Sequence, residues 1–344
     1  MKRGNLKKNI HFLFEDMSIK YAINKLSSLK ERYCIVLDRR HSFKGTITDG
    51  DVRRGLLKGL TIKDEIKSFS RKKNFVTYKK LNQKKINLVL KKKDISFLPL
   101  LNTKKQVLDI YTKKKVESLN LDTTMLIMAG GKGMRLRPLT NKIPKPMLLV
   151  NNRPLIENII INAKKKGISN FIISINYLGK KIKEYLNNGE KLGVKIKYLN
   201  EKKPLGTVGS LSLLKNFNKT IILSNADIIS DIDYYEMLNY HNKKKSILTV
   251  SAKIIKNTIN YGNLITKGSR ISNIVEKPVK DLKINAGIYV INPKIKKFLK
   301  KNTYQDMTDL INLLLKHKCK VEIFPLHETW TDFGLKKNII KHQL

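Results

Sequence analysis

The apolar positions of the chain follow two patterns, and the change between them comes near residue 120. In the first stretch "YAINKLSSLK" has apolar residues at helical spacing behind Ser18 as N-cap. "RYCIVLD" and "KGTIT" read as strands around the turn "RRHSF", and "DVRRGLLKGL" reads as a helix. The same order returns more weakly, with "KKINLVLKKKD" a helix and "ISFLPLL" and "QVLDIYT" strands around the turn "NTKK". Beyond residue 120 strands and helices alternate. "TMLIMA", "NFIISIN", "KIKYLN" and "TIILSNAD" are the strands; "PLIENIIINAKKKG", "LGKKIKEYLNNG" and "TVGSLSLLKNF" are the helices between them. Repeated βαβ units predict right-handed crossovers and an α/β fold with a Rossmann-like, mainly parallel sheet, helices on both faces, and ligands at the carboxyl ends of the strands.

The run "MAGGKGMRLRPLTNKIPKPM", residues 128 to 147, stands at the first such end. Three glycines, three prolines and five cationic residues leave it almost no periodic apolar face, so most of it is predicted to be loop. It is not the dinucleotide fingerprint, whose third glycine would fall at Leu136, and no Gly-Lys-Ser/Thr closes it as a Walker loop. Gly130, Gly131 and Gly133 let the backbone pass close to a ligand and aim successive N–H groups at anionic oxygens. Arg135 and Lys145 add positive charge, and Pro144 and Pro146 are expected to hold Lys145 extended.

At 344 residues the chain exceeds one usual core, and two domains are expected, residues 1–118 and 119–344. A composition 41% hydrophobic and 28% charged fits a globular protein, and no apolar run approaches the roughly 18 residues that cross a bilayer. The basic N-terminus lacks the apolar core of a secretory leader, so a cytoplasmic location is expected. Cys34 and Cys319 sit in apolar, strand-like contexts and are expected to be reduced and buried. The net charge of +44 is spread in short lysine runs with no nucleic-acid-binding module beside it. It fits small anionic substrates, and no nucleic-acid partner is expected.

"AGGKGMRLRPLTNKIPKPM" resembles the signature of the sugar-1-phosphate nucleotidyltransferases, a GT-A-like fold, and further motifs follow in that family's order. "KPLGTVGSL" resembles the base-binding segment, "NAD" the metal-binding aspartate, "EKP" and "NAGIY" the sugar-contacting elements, and "WTDFG" the second acidic motif. Met134 stands where Thr or Ser is commoner, and Ala226 where Gly usually precedes the aspartate. In the first region "GTITDGDVRR" resembles a CBS domain, with a tandem pair over residues 9 to 118. The combination resembles the glucosamine-1-phosphate guanylyltransferases of bacterial legionaminic acid synthesis.

The resemblance implies transfer of a nucleoside monophosphate from a triphosphate to a sugar-1-phosphate. Arg135, Ala129, Gly130, Gly131 and Gly133 would hold the triphosphate, Lys145 the sugar phosphate or α-phosphate, and Asp227 and Asp332 a Mg²⁺ ion. Gly206, Thr207 and Gly209 would lie at the base, with GTP favoured, and Gly262, Glu276, Lys277 and Asn285 at the sugar. Thr48 and Asp51 would contact the ribose and phosphate of an adenine nucleotide, while Lys115 replaces the carboxylate in the second repeat. Paired CBS units imply a homodimer. Mannose-1-phosphate guanylyl, uridylyl or thymidylyl transfer remain alternatives, as does a non-catalytic nucleotide sensor.

Overall fold

The computed structural model describes residues 11–29, 31–69, 74–93, 95–112, 121–214 and 217–341. The chain divides into two compact units, Met1–Glu117 and Ser118–Leu344.

In the first unit β1 (Phe12–Phe14) runs parallel to β2 (Tyr33–Leu37), which pairs antiparallel with β3 (Phe43–Thr48). Between β1 and β2, α1 (Ile19–Ser28) begins at Ser18, whose side chain accepts from the Tyr21 N–H, and it buries Ile19, Ala22 and Leu26. α2 (Asp49–Leu57) leaves β3 directly, and α3 (Ile66–Phe69) packs on it so closely that a Cβ at Gly55 would fall 2.2 Å from the Phe69 ring. The weaker repeat is α4 (Gln83–Lys92) and the hairpin of β4 (Phe97–Leu101) and β5 (Val107–Thr112). Phe97 stacks on Tyr33 at 3.9 Å between centroids, so the two halves share a core. Lys115 and the N-terminal segment 1–10 lie outside the described residues.

The second unit is built on a seven-stranded sheet. Its strands are β6 (Leu121–Met128), β9 (Ile168–Ile175), β10 (Lys195–Asn200), β11 (Ile221–Asn225), β13 (Leu248–Thr258), β16 (Val279–Ile291) and β17 (Val321–Leu326), in the spatial order β10-β9-β6-β11-β16-β13-β17. β10, β9, β6 and β11 are parallel, and β16 alone runs against both its neighbours. Two small ribbons flank the sheet, β7 (Leu149–Val150) with β8 (Arg153–Pro154) and β12 (Ile228–Ser230) with β18 (Trp330–Asp332). A third hairpin, β14 (Asn263–Lys267) with β15 (Arg270–Val275), extends the exposed far ends of β13 and β16.

Period-two alternation sorts side chains into two apolar layers. Met125 and Ile127 of β6 enter one core with Ile159 and Ile160 of α5 (Leu155–Lys165), Ile182 of α6 (Gly179–Leu186) and Met237 of α7 (Tyr234–Lys244). Leu126 enters the other, with Leu310 and Leu314 of α8 (Met307–Lys316). The spacing Leu155, Ile156, Ile159, Ile160, Ala163 makes α5 one apolar face, with Glu157 in its first turn and Lys164 and Lys165 in its last, matching the helix dipole. Each large aliphatic side chain buried there stabilises by roughly 1.5–3 kcal/mol. The last element among the described residues is α9 (Lys336–Lys341). Among the described residues no helix is long and apolar enough to cross a membrane.

Three local expectations are corrected. "TVGSLSLLKNF" forms only a five-residue 3-10 turn, Gly209–Leu213, because its backbone is pulled onto the segment before α8, where Val208 N–H donates to Gln305 O. Lys145 is not extended; it opens a 3-10 turn, Lys145–Met147, fixed by Met147 N–H to Pro144 O, with the buried Pro146 at the second position. Cys34 is buried, but Cys319 is only partly so and lies in the turn before β17.

Candidate active site

The strand order reverses at β6, because β9 follows it on one side and β11 on the other. An open α/β sheet binds ligands at the gap outside the carboxyl ends of its strands at such a reversal. Two segments meet at that gap: the glycine-rich loop after Met128 and the Asn225–Asp227 turn after β11. Ala226 N–H donates to Met128 O, tying one to the other.

The loop is folded back on itself and anchored. Gly133 takes φ +63°, a left-handed conformation, and a Cβ there would lie 3.0 Å from Thr140 Cγ2 and 3.3 Å from Lys145 Cβ. The buried Thr140 hydroxyl donates to Gly133 O, the Tyr177 hydroxyl donates to the carbonyls of Thr140 and Asn141, and Leu136 enters the core. Gly131, Lys132, Met134, Arg135 and Arg137 are left exposed on the loop, where donors can turn toward an anion. The Met134 side chain is 56% exposed, so its substitution for a smaller residue leaves the loop's packing intact.

On the other side, Ile228 of β12 pairs with Asp332 of β18, and Phe333 N–H donates to Asp227 O. This antiparallel ribbon brings together two carboxylates separated by about a hundred positions in sequence. Lys145 forms an ion pair with Asp227 through Oδ2, the two side chains being 17% and 23% exposed. Gly334 sits among all three groups: its N–H donates to Asp332 Oδ1 at 2.6 Å, and a Cβ on it would lie 3.2 Å from Lys145 Nζ and 3.4 Å from Asp227 Oδ2. Asp227 Oδ1 is buried with no hydrogen-bond partner among the described residues. A buried carboxylate oxygen left unpaired beside a second carboxylate suits a hard divalent cation, whose ligands are oxygens. Ala226 is buried in the core, so its methyl does not enter this space.

Asn285 on β16 is held by two bonds, its Nδ2 donating to the Tyr289 hydroxyl at 2.8 Å and its Oδ1 accepting from Gly287 N–H at 3.0 Å. Burial, with the Asp227 carboxylate adding to it, pushes the Tyr289 phenol up to about 12, against the pull of the Asn285 bond. Tyr289 therefore stays a neutral donor or acceptor beside Asp227. Gly262, Glu276 and Lys277 stand apart from this cluster, at the ends of the exposed β14–β15 hairpin, where a Cβ on Gly262 would lie 3.0 Å from Glu276 Oε2.

Gly206, Thr207 and Gly209 have a structural task of their own. A Cβ at Gly206 would fall 2.7 Å from Gln305 O, and one at Gly209 would fall 2.6 Å from Thr303 O. The Thr207 N–H and hydroxyl donate to Asp306 Oδ1, and the hydroxyl accepts from Met307 N–H at the start of α8. The residue that the sequence pattern did not single out is Glu201, just past β10. A Cβ at Gly130 would lie 3.0 Å from its Oε1, and its carboxylate accepts from the Ser174 hydroxyl and from Leu205 N–H. It thus links the glycine loop to the "PLGT" segment. Its signal was a lone acid ahead of that segment in a lysine-rich stretch.

In the first unit Thr48 and Asp51 form a capping box at α2: Asp51 Oδ2 accepts from the Thr48 N–H, while the Thr48 hydroxyl caps Asp51 N–H. Asp51 is 3% exposed and Oδ1 pairs with Arg54. Arg53 is equally buried and pairs with Asp49.

The sequence pattern described as "Nucleotidyl transferase" matches residues 124–344. The mannose-1-phosphate guanyltransferases of Debaryomyces hansenii and Saccharomyces cerevisiae are each 31% identical to this chain over 225 residues, 62% of this chain and 62% of theirs. The chain thus matches about three fifths of the length of these curated relatives. Among solved structures, HddC from Yersinia pseudotuberculosis superposes with a TM-score of 0.52 at 24% identity, covering 64% of this chain and 97% of that one. A putative glucose-1-phosphate thymidylyltransferase from Bacillus anthracis gives 0.52 at 23%, covering 64% and 93%. These likenesses show the fold.

Proposed function

The chain belongs to the nucleotidyl transferase family, and from that premise we propose that it transfers a nucleoside monophosphate from a nucleoside triphosphate to a sugar-1-phosphate, releasing pyrophosphate. The observation that carries the reading is the meeting of Lys145, Asp227 and Asp332 around Gly334 at the end of β11, facing the glycine loop at the end of β6.

An oxygen of the sugar phosphate attacks the α-phosphorus, the bond to the bridging oxygen breaks, and that electron pair leaves with pyrophosphate. A phosphate monoester has its second pKa near about 6, so the nucleophile is already a dianion at neutral pH and no general base is needed. The chain supplies positioning and charge. Backbone donors of residues 130–134 and the Arg135 guanidinium hold the β- and γ-phosphates, where negative charge grows as pyrophosphate leaves. Lys145, with its backbone fixed by the turn of Lys145–Met147, places an ammonium at the phosphates that react. Asp227 and Asp332 would hold Mg²⁺, which when bound neutralises phosphate charge. Asn285, kept in one orientation by Tyr289 and Gly287, contacts the sugar. Glu276, Lys277 and Gly262 would join it from the β14–β15 arm.

GTP is the proposed triphosphate and a hexose-1-phosphate the acceptor. The guanyltransferase relatives favour guanine and point to mannose-1-phosphate, while the fused first unit is the argument for glucosamine-1-phosphate. An adenine nucleotide on the first unit would meet Thr48 and Asp51 where they form their capping box, and the proposed homodimer rests on that unit's resemblance alone. The test is pyrophosphate release with four triphosphates against a panel of sugar-1-phosphates. Turnover with GTP and one hexose-1-phosphate is expected. Release with UTP or dTTP only would overturn the base assignment, and release with none would overturn the transfer reading.

A further inference from the structure

Strand β16 carries a bulge where it passes the site. It pairs with β13 as far as Asn285 and again from Tyr289, and with β11 from Ile288 onward, so Ala286 and Gly287 fall outside the register of both neighbours. A bulge bends its strand, re-aims side chains and takes backbone groups out of the ladder, and those groups must find other partners. Side chains supply them here. Gly287 N–H donates to Asn285 Oδ1 at 3.0 Å, Ile288 N–H donates to the Ser251 hydroxyl at 3.2 Å, and the Ala286 carbonyl accepts from the Trp330 indole N–H at 2.9 Å. Gly287 has φ +75°, and a Cβ there would lie 2.8 Å from Asn225 Nδ2 and 3.0 Å from Ile228 Cγ1. The bulge therefore lies against the turn that carries Asp227.

Asn285 and Ser251 belong to β16 and β13, the two strands of the bulge itself. Trp330 comes from outside, from β18. In that strand Trp330 and Asp332 are two residues apart, so the pleat puts the indole and the carboxylate on one face. The register sets Trp330 opposite Ser230 and Asp332 opposite Ile228. Trp330 is partly buried and packs against the core beside the sheet, which limits the freedom of its ring.

A short covalent path leads from each end of this bond to a group of the site. Asn285 directly precedes Ala286, and Asp332 is two residues past Trp330. A shift of the Ala286 carbonyl carries Asn285 with it, and a shift of the ribbon carries Asp332. One hydrogen bond thus spans the gap between the strand of the sugar contact and the ribbon of the carboxylates.

We propose that Trp330 is a positioning residue for transfer: its indole N–H holds the Ala286 carbonyl so that Asn285 keeps a fixed spacing from the Asp227–Asp332 pair. The proposal rests on the transfer reading above, in which Asn285 contacts the sugar and the two carboxylates hold the cation. Its chemical consequence is alignment. The attacking phosphate oxygen must stand in line with the α-phosphorus, and a small misplacement of the sugar is costly in rate.

Trp330 is the only tryptophan of the chain, so global replacement of tryptophan by its benzothiophene analogue alters this one position. The analogue keeps the bicyclic shape and puts sulfur where the N–H stands, so the packing stays and the donor goes. The full chain in both forms is assayed for pyrophosphate release with the triphosphate and hexose-1-phosphate that the unmodified chain turns over fastest. In the analogue form kcat/KM for the hexose-1-phosphate should fall by about tenfold, while KM for the triphosphate stays within about twofold. A second readout needs no turnover. Calorimetry of the hexose-1-phosphate, with Mg²⁺ and the α,β-methylene analogue of the triphosphate present, should show affinity weakened by about fivefold or more. Thermal unfolding midpoints of the two forms should agree within about 2 °C. Equal constants in the two forms overturn this proposal and leave the transfer reading standing. So does a loss shared equally by both substrates, or a lower midpoint with unchanged hexose-1-phosphate binding, since either is what a structural role gives. No release by the unmodified chain with any pair overturns the transfer reading, and this proposal with it.

Discussion

Asp332 stands directly opposite Ile228 in the β12–β18 ribbon, one residue along from Asp227. That cross-strand register, rather than any closeness in sequence, makes two carboxylates into a pair beside Lys145.

If the pair holds the cation for transfer, Asp227→Asn and Asp332→Asn should each lower turnover by about 10²- to 10³-fold at saturating Mg²⁺. Steady-state pyrophosphate release checks this. Near-full activity of either variant would remove that carboxylate from the mechanism.

Gly334→Ala adds one methyl where a Cβ would lie 2.7 Å from Asp332 Oδ1. Displacing a carboxylate by part of an ångström should cost on the order of 10²-fold in kcat. Because the crowding falls on side chains of the site and not on the core, thermal unfolding should change little. A parallel loss of thermal stability would show the residue to be structural.

Gly206→Ala should behave in the opposite way. It has φ +75°, and its Cβ would meet the Gln305 carbonyl oxygen at 2.7 Å, so strain and backbone displacement add. A loss of roughly 1–3 kcal/mol in urea unfolding is expected. An unchanged midpoint would contradict the close packing of 205–209 on 303–306.

Asp51→Ala removes the reciprocal half of the α2 capping box and leaves Arg54 without its partner carboxylate. Stability should fall by about 1–2 kcal/mol. Calorimetry with AMP, ADP and ATP on the same variant separates this from ligand binding: heat with the parent chain that disappears in the variant supports the nucleotide site, and no heat with either leaves the cap as the residue's role.

Burial pulls the His241 imidazole down to about 4 from the ordinary 6.5. Between these values the unfolded chain takes up a proton that the folded chain does not, so stability falls as pH drops from about 6.5 toward 4, by roughly 3 kcal/mol in full. Urea midpoints compared at about pH 7 and about pH 5, in chloride buffer, should show this fall, and His241→Gln should reduce it. An identical fall in both proteins would assign it to other groups.

The α/β class, the strands β6, β9, β10 and β11, the helices α5 and α6, and the Ser18 cap were all legible, because period and capping chemistry are local and short stretches carry them whole. The glycine loop was legible for the same reason, since three glycines and three prolines in twenty residues leave no room for a long helix or strand whatever surrounds them. The segment "TVGSLSLLKNF" was misread as a helix because its conformation is imposed from outside, by the carbonyls of Thr303 and Gln305 close against Gly209 and Gly206. Glu201 escaped notice because its meaning lies in the distance to Gly130, seventy-one positions earlier, which only the parallel pairing of β10, β9 and β6 makes short. The sequence could name Asp227 and Asp332 only through resemblance; the antiparallel register of β12 and β18 brings them together, and such register is a long-range property of the folded sheet. The bond from Trp330 to the Ala286 carbonyl left no trace in the sequence at all. It exists because the β12–β18 ribbon meets the bulge of β16 at one end of the sheet, and no local pattern records which segments will be neighbours.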